Sequence, residues 1–242
     1  MSTLRKGVYT VMSDKPMLKL DWCSYEAAKY AVMHWHYSKR MPIGKLVKIG
    51  VWEDQTFIGC IIFGYGNNQF QGVKYNLVQT QICELLRVAL TDHKTEVTKI
   101  VKIAIKLLKQ SNKGIRLIVS YADPEQGHNG SIYQAGNWFF IGIGGSNEAF
   151  YNDKGERIHS RLVGKGGIKN VFGKNIKTYD SDTTEKRKLL PKYKYLYPLD
   201  NEMRKQIEPL RKPYPKRGRG EIDSASQTNE KTDGASPIRP LL

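Results

Sequence analysis

The stretch SYADPEQGHNGSIYQAGNWFFIG, Ser120 to Gly142, decides the fold. The run Ile115-Arg116-Leu117-Ile118-Val119 leads into it and reads as a buried strand. Asp123-Pro124 marks a turn, followed by a loop rich in Gly, His and Asn. A short helix is expected over Ser131 to Gly136, then an aromatic strand at Trp138-Phe139-Phe140. Strand, polar crossover, helix start and strand in so few residues place a concave site at the carboxyl end of a sheet, where open α/β sheets bind ligands. Asp123, His128, Asn129 and Tyr133 fall there.

Upstream, Asp21 or Ser24 is placed to cap a helix from Tyr25 to about Trp35, with Ala27, Ala28, Ala31, Val32 and Trp35 at helical spacing. The helix runs out in His34-Trp35-His36-Tyr37-Ser38-Lys39-Arg40. Lys45 to Glu53, a turn at Asp54-Gln55, and Thr56 to Phe63 predict a hairpin. Leu77 to Leu90 reads as one long strand interrupted by Glu84 and Arg87. From Thr95 the apolar stripe Val97, Ile100, Val101, Ala104, Leu107, Leu108 predicts the strongest helix, closed by Asn112-Lys113-Gly114. Val8 to Met12 is a candidate edge strand. Beyond Gly142 the chain is Gly- and Lys-rich with short β-like pieces, and Leu189 to Leu199 ends as a strand. A short helix follows Asp200, and from Glu221 the low apolar content predicts a disordered tail. The order predicts an α/β (α+β) protein, a mixed sheet flanked by helices with a basic C-terminal extension. Residues 1–150 are read as the core, 151–217 as the C-terminal part of the same domain, and 218–242 as the tail.

The 242 residues carry a formal charge of +16. Such an excess favours polyanions: nucleic acid first, then anionic membrane surfaces and phosphorylated cofactors. Cys23, Cys60 and Cys83 form no C-x-x-C pair, which disfavours a zinc ribbon or disulfide framework and fits a reducing cytosol. With no secretory h-region and no bilayer-length apolar run, the reading is an intracellular protein without membrane contact.

Several residues are candidates for chemistry. Asp123, just past a buried strand, suits proton acceptance or amine binding; it equally suits a turn cap before Pro124. Tyr133 is a proton donor to a leaving group or a core aromatic. His36, Tyr37 and Ser38 pack three polar groups among aromatics at a helix end. A His36 and Asp123 pair also suits a metal with open positions, whereas His34 and His36, two apart, do not share a helix face. Arg87 requires a partner or a phosphate. Glu84, three residues away, faces the other side of a regular strand. The start of the Thr95 helix offers amides to a pyrophosphate, with Thr95 and Thr98 hydroxyls beside them. Lys165, Lys169, Lys174, Lys192, Lys194, Lys216 and Arg217, interleaved with aromatics, compose a phosphate-tracking and base-stacking surface.

Taken together, H-Y-S at His36-Tyr37-Ser38, E-L-x-R at Glu84 to Arg87, and A-D-x-x-x-G-H-x-G-x-I-Y-Q-A-x-N-W at Ala122 to Trp138 resemble the Mom DNA-modification proteins of Mu-like phages. K-Y-K-Y-L-Y-P-L at Lys192 to Leu199 and P-Y-P-K-R at Pro213 to Arg217 extend the resemblance over about residues 20 to 217. The resemblance implies a fold related to the GCN5-type N-acyltransferases. It implies conversion of adenine in double-stranded DNA to N6-carbamoylmethyladenine, protecting phage DNA from restriction in the host cytoplasm. It also implies a donor of the acetyl-CoA or related CoA-thioester type. His36, Tyr37, Asp123 and Tyr133 match the family's proposed active-site positions, Arg87 a cofactor-binding position, and Thr98 its helix-start serine. Asn129, one turn before Tyr133, joins the candidate cofactor contacts. The chain lacks the glycine-rich pyrophosphate loop of the wider superfamily, having Leu90-Thr91-Asp92-His93-Lys94-Thr95 instead. A methylene on N6 asks for more than thioester acyl transfer, and a redox metal such as iron at His36 and Asp123 is one candidate. The rival readings are an N-acetyltransferase acting on a protein or small-molecule amine, and a non-enzymatic basic DNA-binding protein. Either a monomer or a homodimer is compatible with the sequence.

Overall fold

The computed structural model describes residues 16–66, 70–144, 148–158, 162–171 and 173–215. The expected strand at Val8 to Met12, the tail, Lys216 and Arg217 lie outside the described residues. The chain forms two compact units: one from the chain up to Tyr121 with Ser131–Gly142 and Lys194–Lys212, the other from Ala122–Gly130, Ile143–Tyr193 and the chain from Pro213.

The first unit is built on a seven-stranded sheet in the order β1-β2-β3-β4-β5-β12-β6. Its strands are β1 (Leu18–Trp22), β2 (Leu46–Glu53), β3 (Thr56–Gly64), β4 (Ile82–Leu90), β5 (Leu117–Ala122), β6 (Phe139–Gly144) and β12 (Lys192–Pro198). Its helices are α1 (Tyr25–Trp35), α2 (Val97–Ser111), α3 (Ser131–Ala135) and α4 (Asn201–Ile207). β1 to β4 form an antiparallel meander. Asp54 and Gln55 turn the β2–β3 hairpin with φ of 47° and 69°, the left-handed pair that matches strand twist. Gly59 has φ 140°, and a Cβ there would lie 2.0 Å from the Ala89 carbonyl oxygen, so β3 and β4 approach as closely as only glycine permits. Ser24 caps α1 by accepting from the Ala27 amide at 3.1 Å. Ala28, Ala31 and Val32 then seat that helix on Cys60, Ile62 and Ala89. On the same side of the sheet Met203 and Ile207 of α4 pack with Ile82, Leu117, Val119 and Phe139.

β4 and β5 are parallel, paired at Ile82↔Leu117, Cys83↔Ile118 and Glu84↔Val119. Their pairing stops there, although β4 runs on to Leu90 and β5 to Ala122. The two strands part at their carboxyl ends. Against β3, β4 pairs Ile62↔Arg87 and then Phe63↔Leu85, leaving Leu86 as the extra residue of a bulge. The bulge reverses the expected parity. Cys60↔Ala89, Ile62↔Arg87 and Gly64↔Glu84 share one face, so Glu84 and Arg87 lie together on the α1 side of the sheet.

Two expected boundaries move. The strand begins at Ile82 rather than Leu77, because Leu77 and Gln81 amides bond back to Gly72 and Val78 carbonyls and close local turns. α2 begins at Val97 rather than Thr95, because the Glu53 carboxylate takes the amides of Lys94 (2.9 Å) and Thr95 (2.6 Å). Lys165 to Asn170, in the Gly- and Lys-rich region of short β-like pieces, belongs to a strand of the second unit.

That unit holds a three-stranded sheet, β11-β7-β8, and a separate two-stranded ribbon, β9–β10. The strands are β7 (Glu148–Tyr151), β8 (Arg157–Ile158), β9 (Val163–Val171), β10 (Lys174–Asp180) and β11 (Glu185–Lys188). No helix among the described residues is long and apolar enough to cross a membrane.

Candidate active site

Where β4 and β5 part, the first unit gathers polar groups in an otherwise apolar sheet. On the α1 side the Arg87 guanidinium is half-buried and, among the described residues, bonds to carbonyls: Leu86 through Nη1 at 2.6 Å, and Arg40 through Nε and Nη2, each at 3.3 Å. Burial pulls its pKa below the usual value, and the charges of Tyr37 and Glu84 oppose that shift. Arg87 thereby ties the α1–β2 segment to β4 and holds His36, Tyr37 and Ser38 near the parting strands.

His36 is buried at 9% exposure. The Ser38 amide donates to its Nδ1 at 3.1 Å, so Nδ1 is an acceptor and the ring proton belongs on Nε2. The Ser38 hydroxyl lies 2.9 Å from the same nitrogen. The Tyr37 ring lies 4.3 Å from that of His36, centroid to centroid and tilted by 30°, and is half-exposed.

Successive strand residues alternate, so Ser120 faces away from Val119, toward the side opposite α1 and α4. Its hydroxyl lies 3.0 Å from the Leu85 carbonyl and 2.8 Å from the Tyr133 hydroxyl. A serine has one proton and a carbonyl can only accept; the Tyr133 hydroxyl therefore donates to Ser120. The Tyr133 ring is wedged between Trp138 and Tyr195, each at 5.1 Å. Burial pushes its pKa up to about 12, so Tyr133 is protonated at neutral pH.

Below Glu84 on the α1 and α4 side lies a second polar group. Tyr121 accepts from Gln71 at 2.9 Å. The Lys194 ammonium sits 5.7 Å from the Tyr75 ring centroid and 5.6 Å from that of Tyr121. Burial first, then the neighbouring Lys74, lower its pKa to about 7. Lys194 was expected to hold DNA phosphate; at 9% exposure it is instead a core residue of the β12 strand.

In the second unit, Asp123 accepts from the Glu125 amide at 3.2 Å, and its other carboxylate oxygen meets the Lys192 ammonium at 2.9 Å. Its carbonyl receives the amides of Gln126 and His128. Asp123 is thus a turn cap with its charge balanced, and Lys192, expected on phosphate, supplies that balance. Asn129 lies in the same loop and is half-buried. Lys165 and Lys169 are exposed on β9, and Lys174 opens β10.

The expected cofactor contacts divide. Thr95 is buried, and both its amide and its hydroxyl go to Glu53, which removes it as a pyrophosphate ligand. Thr98 stands in the first turn of α2, half-buried. Among the described residues no three His, Cys, Asp or Glu side chains gather into a metal-holding group. The donors at His36 and Asp123 do not make an iron site by themselves.

The structure also brings Ser120 and Glu84 to the end of the β4–β5 pairing, where sequence reading does not put Ser120 among the candidates and sets Glu84 on the face away from Arg87. The signal for Ser120 was a lone hydroxyl ending an apolar strand. For Glu84 it was a carboxylate three residues from Arg87, whose shared face depends on a bulge that spacing does not reveal.

A mixed seven-stranded sheet flanked by helices, with one parallel pair whose hydrogen-bonded pairing stops short of its carboxyl ends, defines a mixed α/β protein. The chain belongs to the Mom protein family, whose profile matches residues 17–216. It is 26% identical over 213 residues to the methylcarbamoylase mom of Escherichia phage Mu, covering 82% of this chain and 84% of that protein. Among solved structures it is similar to yncA of Salmonella typhimurium, a putative acetyltransferase with its cofactor acetyl-CoA (TM-score 0.41, 11% identity, 76% of this chain and 95% of that one). FeeM, an N-acyl amino acid synthase from uncultured soil microbes, is similar to the same degree (TM-score 0.41, 10% identity, 79% and 96%).

Proposed function

We propose that this chain is a phage DNA-modification enzyme that converts adenine in DNA to N6-carbamoylmethyladenine. The observation that carries the reading is family membership over residues 17–216, joined to the likeness to the phage Mu methylcarbamoylase. The polar groups at the parted strands and the charge of +16 support it. An adenine inside a duplex must leave the stack before its amino group is reachable.

A CoA-thioester donor fits part of the site. Beyond Glu84 and Val119 the facing backbone groups of β4 and β5 no longer pair with each other, and a pantetheine arm carries amides that suit such an edge. The pyrophosphate has less to hold it, since Glu53 already takes the Lys94 and Thr95 amides; the Thr98 region and Arg87 are the remaining candidates. Such a thioester, if bound, would supply an activated acyl carbon; attack of the amino group on it alone would leave an amide on N6, so the carbamoylmethyl product requires a further step. In this reading Tyr133, protonated at neutral pH, would turn from Ser120 to supply a proton to a leaving sulfur. Asp123, in the second unit, is by itself the candidate to bind an adenine amino group. His36, presenting Nε2–H, and Tyr37 orient the base.

Nucleoside mass spectrometry on DNA from cells expressing the chain, beside Asp123→Ala and Tyr133→Phe, tests the proposal. The modified adenine is expected with the unaltered chain and is lost or strongly reduced in both variants. Unmodified adenine with a folded, unaltered chain overturns it.

A further inference from the structure

The β9–β10 ribbon is a sheet of its own. Its register sets Lys169 against Ile176, Ile168 against Lys177 and Asn170 against Asn175. Opposed residues share a face. One face carries Lys169, Ile176 and Thr178; Ile176 and Thr178 are half-buried, and Thr178 donates to the Gly167 carbonyl at 3.1 Å. The other carries Ile168, Asn170, Asn175 and Lys177, all exposed, with Ile168 at 76%.

From Val163 to Asp180 the ribbon sequence holds Lys165, Lys169, Lys174 and Lys177 against a single carboxylate, Asp180, at its base opposite Lys165. A lone two-stranded hairpin is marginal in water. Lysines beside an outward isoleucine match a polyanion that also offers apolar surface, which duplex DNA does through its phosphates and thymine methyls. The major groove, about 12 Å wide, admits a two-stranded β-ribbon.

The asparagine pair is ordered for reading. Asn170 donates from Nδ2 to Asn175 Oδ1 at 3.1 Å, and its own Oδ1 accepts from the Gly173 amide at 3.0 Å. Asn170 is committed to the turn, and its donation fixes which end of the Asn175 amide is oxygen. Asn175 keeps its N–H donors beside an oxygen with a lone pair to spare, the complement of adenine's N6 and N7 edge.

We propose that the β9–β10 ribbon enters the major groove of duplex DNA and reads sequence, with Asn175 on an adenine edge, Ile168 on a thymine methyl, and Lys165, Lys169 and Lys177 on flanking phosphates. This rests on the DNA substrate proposed above and deepens it.

Binding by the full chain, with no donor present, tests it without the chemistry. On a fixed duplex, replacing Lys165, Lys169 and Lys177 together by Ala should flatten the slope of log affinity against log salt by about 2.7, at about 0.9 per phosphate contact. In a pool of duplexes with a randomised window, Asn175→Ala should lower the preference for adenine at one position about tenfold. Asn175→Asp should shift it toward cytosine, whose amino group a carboxylate accepts. Unchanged melting of each variant separates these effects from misfolding. An unchanged salt slope, a pool showing no base preference, or the same preference in both Asn175 variants overturns the proposal. Failure of adenine modification with the ribbon effects intact would instead overturn only the enzymatic reading.

Discussion

Removing the Ser120 hydroxyl should cost more stability than removing that of Tyr133, although the two are bonded to each other. Ser120→Ala strips the Leu85 carbonyl and the Tyr133 hydroxyl of their hydrogen-bond partner at once. Ser120 has no exposed surface and Tyr133 is 8% exposed, so water does not readily replace it. Each stranded buried group costs about 1–3 kcal/mol, together about 3 kcal/mol. In a chain of this size that lowers Tm by about 6–12 °C. Tyr133→Phe leaves Ser120 on the Leu85 carbonyl and the ring between Trp138 and Tyr195, so only one net hydrogen bond is lost, about 1 kcal/mol. In the Ser120→Ala background, Tyr133→Phe removes the stranded hydroxyl and should be neutral or stabilising. Thermal melting of both single variants and the double variant completes the cycle. Under the proposed function, adenine modification should follow the opposite order, with Tyr133→Phe falling about a hundredfold through loss of the proposed proton donor. Equal costs for the two single variants, or strict additivity in the double, would refute the shared-proton arrangement.

Two further outcomes follow from the ionisable groups. Lys194 has its pKa lowered from an ordinary 10.5 to about 7, so the folded chain resists a proton that the unfolded chain binds. The penalty is absent above about pH 10.5 and complete below about pH 7. Lys194→Met should therefore raise Tm at pH 7 by about 3–8 °C, and the gain should shrink as pH rises toward 10; a pH-independent gain would contradict the assignment. Asp200 accepts from the Met203 amide at the start of α4 and is gripped by Arg116 through two 2.9 Å contacts, which hold its pKa at about 2. That stabilisation is present above the ordinary value of 3.8 and lost as pH falls toward 2. Asp200→Asn should lower Tm modestly at pH 7 and match the unaltered chain near pH 2; melting curves across that range check it.

Much of this protein was determined by local sequence. The alternation from Lys45 to Phe63 around Asp54-Gln55, the stripe that makes α2, and the Ser24 cap each depend on neighbours within a few residues. Family and fold class were likewise legible, since the long motif at Ala122 to Trp138 and the order of elements are linear properties. The tertiary structure alone decided how charges are partnered. The Leu86 bulge, set by pairing with β3, brings Glu84 and Arg87 to one face against their spacing. Glu53, 42 residues before Thr95, claims the amides expected for a phosphate. Lys194 reads as a basic surface residue and is buried because β12 inserts between β5 and β6. Hydrophobic period specifies which elements form; which lysine meets solvent, which carboxylate or which aromatic ring depends on contacts between segments far apart in the chain, and no local pattern encodes those.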